Sequence, residues 1–193
     1  YAAKTAIGLG ARVKVFDNSI SKLRKLQDCL YAPIYTSTIQ PKSVAKALMR
    51  CDVAIGAIRG KNRSPICATE DMIKTMKEGA VIVDVSIDRG GCFETSDVTS
   101  HEKPVFTKYD VIHYCVPNIP SGFARTASQA ISNVLMPLML ETAHDGGIDK
   151  TIWHKINIRS GIYLFKGSLT NFHLSERFDL KFTDLNLLIA SRR

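Results

Sequence analysis

The sequence predicts an α/β fold: a doubly wound, mainly parallel sheet, incomplete because its first strand is absent, plus a C-terminal helical segment belonging to a second domain. Three observations carry this. Short apolar runs alternate with stretches of helical periodicity from Val13 to Val116. The runs are nearly continuous rather than alternating apolar and polar, as expected of strands buried on both faces of a parallel sheet. At Pro117-Asn118-Ile119-Pro120-Ser121-Gly122, two prolines and a glycine break that rhythm and mark a boundary or hinge.

Taken in order, Ala2 to Leu9 is helical and rich in small residues, and Gly10 is its stop. Val13 to Phe16 is a strand that ends at Asp17. Ser21 to Leu30 sets Leu23, Leu26 and Leu30 at helical spacing. Ile34 to Ile39 is a short strand, and Pro41 opens a helix through Met49, where the missing N–H of proline costs nothing. Asp52 to Ile58 is an apolar strand. Thr69 caps a helix through Met76 with Glu70 and Asp71 in its first turn, and Gly79 ends it. Ala80 to Ser86 is the strongest strand and Val111 to Val116 another. Past the hinge, a long helix from about Thr126 to His144 carries Pro137 as a kink and stops at Gly146-Gly147. Ile162 to Leu169 is strand-like, and Asn171 to Arg177 is a short helix. Residues 1–120 thus form one incomplete doubly wound domain. Residues 121–193 supply the hinge helix and the end of a second domain, too small to stand alone.

The chain has 193 residues, of which 45% are hydrophobic and 23% charged, an ordinary globular balance with enough apolar mass for one good core. No apolar run reaches the ~18 residues of a membrane helix, and no leader pattern opens the sequence, so a cytoplasmic protein is expected. The net charge of +8 is spread over helix faces. Its one dense cluster, Arg59-Gly60-Lys61-Asn62-Arg63, has no interleaved aromatics for base stacking. That pattern argues against nucleic acid and suits a small anionic ligand beside a strand end. The five cysteines are odd in number and form no C-x-x-C pair, as expected of reduced thiols. The histidines show no metal-ligand spacing, and His101-Glu102 lacks the second histidine of a zinc-protease helix.

In a doubly wound sheet, ligands bind beyond the carboxyl ends of the strands. Asp17 stands at one such end, suited to accept from ribose hydroxyls and to repel a 2′-phosphate, which favours NAD over NADP. It also suits the N-terminus of the following helix. Lys22 falls near the adenosine half or is a solvated helix lysine. Gly56-Ala57 allows close backbone approach to a flat ligand or close internal packing. Asp84, inside a strand, requires buried hydrogen-bond partners. Asp88 lies just past the strand end, where it faces cofactor and substrate or merely forms a turn, and Gly90-Gly91 permits a tight exit. Asn118 offers an amide to a ligand or forms an Asx-turn.

At these residues the chain resembles the alanine dehydrogenase family, which includes the NAD-binding subunit of pyridine nucleotide transhydrogenases. The resemblance runs through AAKTAIGLGARVKVFDNS (Ala2 to Ser19), CDVAIGAI (Cys51 to Ile58), MKEGAVIVDVSIDRGGCFETS (Met76 to Ser96), His101 to Pro104 and HYCVPNIP (His113 to Pro120), pieces spread over about two-thirds of the chain. It implies a Rossmann-like domain and reversible NAD-dependent deamination of L-alanine to pyruvate and ammonia, in a homo-oligomer that is commonly a hexamer. It assigns Asp17 to the ribose, Lys22 to the adenosine side, and Ala57, Ile58 and Arg59 to the backbone lining NAD. Ile87 and Asp88 fall on the nicotinamide-side turn, Asp88 as the catalytic aspartate, and Asn118 and Ile119 on cofactor contacts at the hinge. The transhydrogenase branch lacks that aspartate, so Asp88 favours the alanine branch. Arg89 replaces the family's usual glutamine, and Ile119 the usual methionine. The family's Gly-rich phosphate loop and substrate-gripping half are not in this sequence. Two alternatives remain: a transhydrogenase subunit, or a truncated non-catalytic remnant. With the first strand missing, the sheet is expected to expose an edge or the adjoining strands' faces, which makes the isolated chain oligomeric or aggregation-prone unless a neighbour covers them.

Overall fold

Residues 1–30, 32–60 and 63–190 are described by a computed structural model of the chain, which leaves Lys61 and Asn62 of the basic cluster outside the described residues. The chain divides into two units, Tyr1–Gly122 and Phe123–Arg193. In the first, helices α1 (Ala2–Gly8), α2 (Ile20–Cys29), α3 (Pro41–Leu48) and α4 (Glu70–Ile73) alternate with strands β1 (Lys14–Phe16), β2 (Tyr35–Ser37), β3 (Val53–Gly56) and β4 (Val81–Asp84). A hairpin of β5 (Val105–Lys108) and β6 (Val111–Tyr114) completes it.

Strands β3, β4 and β6 are parallel, in the order β3-β4-β6-β5, with β5 antiparallel on the outer edge. The β-branched runs of β4 and β6 place Ile82 and Val111 in a core with Ile73, Leu48 and Phe93. Ile82, Ile73 and Val111 are wholly buried, so this strand pair is covered as a parallel sheet should be.

The one doubly wound sheet expected from the sequence is divided in two, and Asp17 and Asp88 follow strands of different sheets. Strands β1 and β2 pair only with each other, as a separate two-stranded parallel sheet. In the strand order of dinucleotide folds, one further strand lies between those corresponding to β1 and β3. No described residue of this chain takes that place, so β1 and β3 each keep one unpaired edge. Val53 and Ile55, which share one face of β3, are 54% and 49% exposed, so that face of the strand is largely uncovered.

Strand β5 was not expected. It turns into β6 through Tyr109 and Asp110, both in the left-handed region at φ 55° and 57°. Two-residue hairpins of this geometry normally announce themselves with Asn-Gly or Asp-Gly, and Tyr-Asp hides the signal. At α4, Thr69 makes no side-chain cap; the Glu70 N–H donates instead to Glu94 Oε2 at 2.7 Å. The helix also ends at Ile73, three residues early.

The second unit contains α5 (Ala124–His144), α6 (Ile148–His154), α7 (Ile156–Arg159), the strand pair β7 (Leu164–Phe165) and β8 (Ser168–Leu169), α8 (Phe172–Phe178) and α9 (Leu185–Ala190). Pro137 lies inside α5, and Gly146 and Gly147 follow it at φ 82° and 119°. The stretch read as one strand is a hairpin, reversed at Lys166-Gly167 with φ 50° and 80°. Ile152, Leu185 and Ile189 form this unit's small core. Helix α5 buries none of its residues.

Candidate functional site

Parallel pairing puts the carboxyl ends of β3, β4 and β6 on one side of their sheet. Asp84, the last residue of β4, organises the loop beyond that strand. It is wholly buried. Its Oδ1 accepts from the Ser86 N–H at 2.9 Å, and its Oδ2 accepts from the Cys92 N–H at 2.8 Å and the Ser96 hydroxyl at 2.7 Å. The Phe93 N–H adds a longer bond to Oδ2 at 3.4 Å. One carboxylate thus folds residues 86–96 back over the strand end. No buried side-chain polar atom among the described residues lacks a partner, so the cost of burying Asp84 is met locally.

Two glycines make room for this loop. At Gly91, with φ 74°, an added Cβ would lie 2.8 Å from Asp84 Oδ2. At Gly56, it would lie 2.3 Å from Cys92 Sγ and 2.6 Å from Phe93 Cε2. Gly56 therefore serves internal packing, the second of the two roles its position allowed. Burial pushes the Cys92 thiol up to about 12. All five cysteines are free, Cys29 being exposed and Cys92 and Cys115 buried.

Asp88 sits in a 3-10 turn, Ile87–Arg89, directly after β4. It is exposed, and its Oδ1 accepts from the Asn118 N–H at 2.8 Å. Asn118 follows β6 and adopts φ 51°. The catalytic candidate and the hinge amide, 30 residues apart, are thus in direct contact. Among the described residues Asp88 Oδ2 has no hydrogen-bond partner and stays open. The hinge turn is held further by the Ser121 N–H on Asn118 O at 2.8 Å and by Ser121 Oγ with His101 Nε2 at 2.7 Å.

The remaining predicted residues divide by what they can offer. Ala57 and Arg59 are exposed beyond β3. Ile58 is committed inward: its N–H donates to Ser86 Oγ at 3.1 Å and its carbonyl accepts from Ser64 Oγ at 2.8 Å. Ile87 is buried, 5% exposed, and Ile119 is half-buried in the hinge turn. Asp17 stands at the end of β1, on the other sheet, half-buried. Its Oδ1 accepts from the Ser19 N–H at 2.7 Å, so Ser19, whose side chain accepts from Lys22 N, is the helix cap. Asp17 Oδ2 is open among the described residues. The Lys22 side chain is exposed on the first turn of α2. Among the described residues, no cluster of histidine, cysteine, aspartate or glutamate could hold a metal, and no helix is long and apolar enough to cross a membrane.

Sequence reasoning missed Ser64, Ser86, Thr95 and His113 as parts of this frame. His113 is wholly buried and stacks on Phe106 at 4.8 Å and 17°. Its Nδ1–H donates to Val111 O at 2.9 Å, which leaves Nε2 to accept from the Thr95 hydroxyl at 2.7 Å. Burial lowers its pKa, and the Lys108 charge acts in the same direction. The folded state therefore keeps His113 neutral where the unfolded chain, near pH 6.5, takes up a proton. Stability should be flat above that pH and decline as pH falls from it toward the lower folded value. Urea unfolding of the wild type and His113→Gln between pH 8 and 5 checks this: the variant should lose part of the acid slope, and equal slopes would contradict it.

These features define a class: an α/β domain whose parallel strands end in a carboxylate- and amide-lined rim, the architecture in which nucleotides bind beyond the strand ends. The sequence profile of the alanine dehydrogenase/PNT C-terminal domain matches residues 1–172. The chain belongs to the alanine dehydrogenase/PNT family. It is 38% identical over 190 residues to the alanine dehydrogenase of Halomonas elongata, covering 98% of this chain and 51% of that protein. It is 36% identical to the alanine dehydrogenase of Staphylococcus saprophyticus, covering 95% of this chain and 50% of that one. A solved L-alanine dehydrogenase superposes with a TM-score of 0.82 at 31% identity, over 92% of this chain and 49% of the other. A Sinorhizobium meliloti transhydrogenase shares the fold, with a TM-score of 0.62 at 24% identity over 72% of this chain and 39% of the other. The chain spans about half the length of the alanine dehydrogenases it matches. Its fold is the Rossmann-like α/β type expected from sequence.

Proposed function

We propose that this chain is the NAD-holding part of an alanine dehydrogenase that converts L-alanine, water and NAD to pyruvate, ammonium, NADH and a proton, and the reverse. The observation that carries this reading is the Asn118 N–H to Asp88 Oδ1 bond of 2.8 Å, made where three parallel strand ends converge. The residues fit the cofactor. Asp17 keeps one carboxylate oxygen open for ribose hydroxyls, Ala57 and Arg59 line the β3 end, and Ile119 flanks the hinge. When bound, nicotinamide supplies the hydride acceptor.

Asp88 does the protonic work. Asn118 fixes its orientation through Oδ1, and the open Oδ2 exchanges a proton with the amine or with water at the reacting carbon. A transhydrogenase has no amine to serve and needs no such acid. The intact enzyme is proposed to be a cytoplasmic homo-oligomer, and residues 121–193 to belong to its substrate domain.

The test is selective nucleotide binding. In an NMR titration, NAD at millimolar concentration should shift the amides of Ser19 and Asn118, whereas NADP should bind about tenfold more weakly or worse because Asp17 repels the extra phosphate. Asp17→Ser should erase that preference. Equal binding of both nucleotides, or no shift at either amide, would refute the proposal.

A further inference from the structure

Outside the residues already assigned, one set of contacts joins two segments of the rim. Ser64 is 3% exposed although it follows a run of charged residues. Its Oγ donates to Ile58 O at 2.8 Å, and its N–H donates to Arg89 O at 3.0 Å. From the other side, Ser86 Oγ accepts the Ile58 N–H at 3.1 Å. Both polar groups of Ile58 are therefore satisfied by serine hydroxyls, one from each segment. The neighbouring Arg63 reinforces the joint: its Nη2 donates to Gly90 O at 3.3 Å, and a Cβ on Gly90 would lie 2.5 Å from Arg63 Nε. These bonds run between the end of β3 and the turn that bears Asp88.

We propose that Ser64 is a positioning residue for the cofactor site. With Ser86 it clamps Ile58 and locks the β3 end to the Asp88 turn, so that Ala57 and Arg59 stand at a fixed separation from Asp88. The assignment rests on the proposed function for its ligand, but the clamp itself does not need a nucleotide. A hydroxyl at position 64 is required for the geometry rather than for contact with the cofactor. Ser86 is tied in turn to Asp84 through its N–H at 2.9 Å, which links the clamp to the sheet.

The test compares Ser64→Ala with Ser64→Thr, which keeps the hydroxyl, by hydrogen exchange and by NADH titration of the same chain followed by NMR. In Ser64→Ala the amides of Ile58 and Gly90 should exchange at least about tenfold faster, while the sheet amides of Val85 and Ile112 keep their protection. NADH should bind about tenfold more weakly. Ser64→Thr should restore both readouts. Unchanged exchange at Ile58 overturns the clamp. Faster exchange spread evenly over the sheet also overturns it, since that is loss of general stability. Faster local exchange with unchanged NADH affinity overturns the positioning role. If the wild type itself fails to bind NADH, the functional proposal falls, and the exchange pattern alone decides the clamp.

Discussion

Asp88→Asn is expected to abolish most alanine oxidation in a dehydrogenase that carries this chain together with its substrate-binding half, lowering kcat by about 10²–10⁴, the usual range for removing a general acid–base group. The amide is the same size and its oxygen can still accept the Asn118 N–H, now 2.8 Å from Oδ1. What is lost is the open oxygen that exchanges a proton. NADH affinity should therefore change by less than about threefold, and the hinge amide of Asn118 should keep its chemical shift. Steady-state kinetics with alanine, read beside NADH binding, separate the two. A kcat within a factor of about three of wild type would remove Asp88 from the chemistry. The 193-residue chain alone, by contrast, is expected to turn over far below the ~1 to 10³ per second of ordinary enzymes, because the phosphate loop and the substrate-gripping half are not in it.

The largest stability effect is expected at Asp84. Asp84→Ala would strand the Ser86 and Cys92 N–H groups and the Ser96 hydroxyl, which lie 2.7–2.9 Å from its oxygens in a wholly buried site. Each of these three buried donors left unmade costs about 1–3 kcal/mol, and hydrogen bonds to a carboxylate are the stronger kind. The expected loss is about 3–5 kcal/mol, a large share of what holds a domain of this size together. Asp84→Asn keeps the volume but turns one acceptor into a donor facing other donors, so it should recover only part of the loss. Urea unfolding midpoints at constant slope measure both variants. A loss below about 1 kcal/mol for Asp84→Ala would mean that residues 86–96 hold their own course without it.

The two acids were visible in the sequence for different reasons. Asp88 follows a nearly continuous β-branched run, and the run locates the strand end. Asp84 is a charge inside that run, and burial of such a charge demands partners. Their identity was not visible, because Ser86, Cys92 and Ser96 are ordinary loop residues whose convergence depends on left-handed turns at Gly90 and Gly91. Ser64 carried no signal at all: it is one polar residue beside a basic cluster, and only folding puts it against Ile58. The β5–β6 hairpin went unread because Tyr109-Asp110 lacks the glycine that usually marks such turns. The helix expected through Met76 stopped at Ile73, as short helices do when tertiary contacts decide their ends.

By itself, the sequence determined the alternation of helices and strands from α1 to β4, the burial of the β4 and β6 runs, and the candidate acids at two strand ends. These come from local rules, since apolar periodicity and chain direction are properties of neighbouring residues. Only the tertiary structure decided that β1 and β2 form their own sheet, that Gly56 makes room for Cys92 and Phe93, and that Asn118 reaches Asp88. Those contacts join residues tens of positions apart, and their geometry is set by strand pairing and packing, which no local pattern encodes.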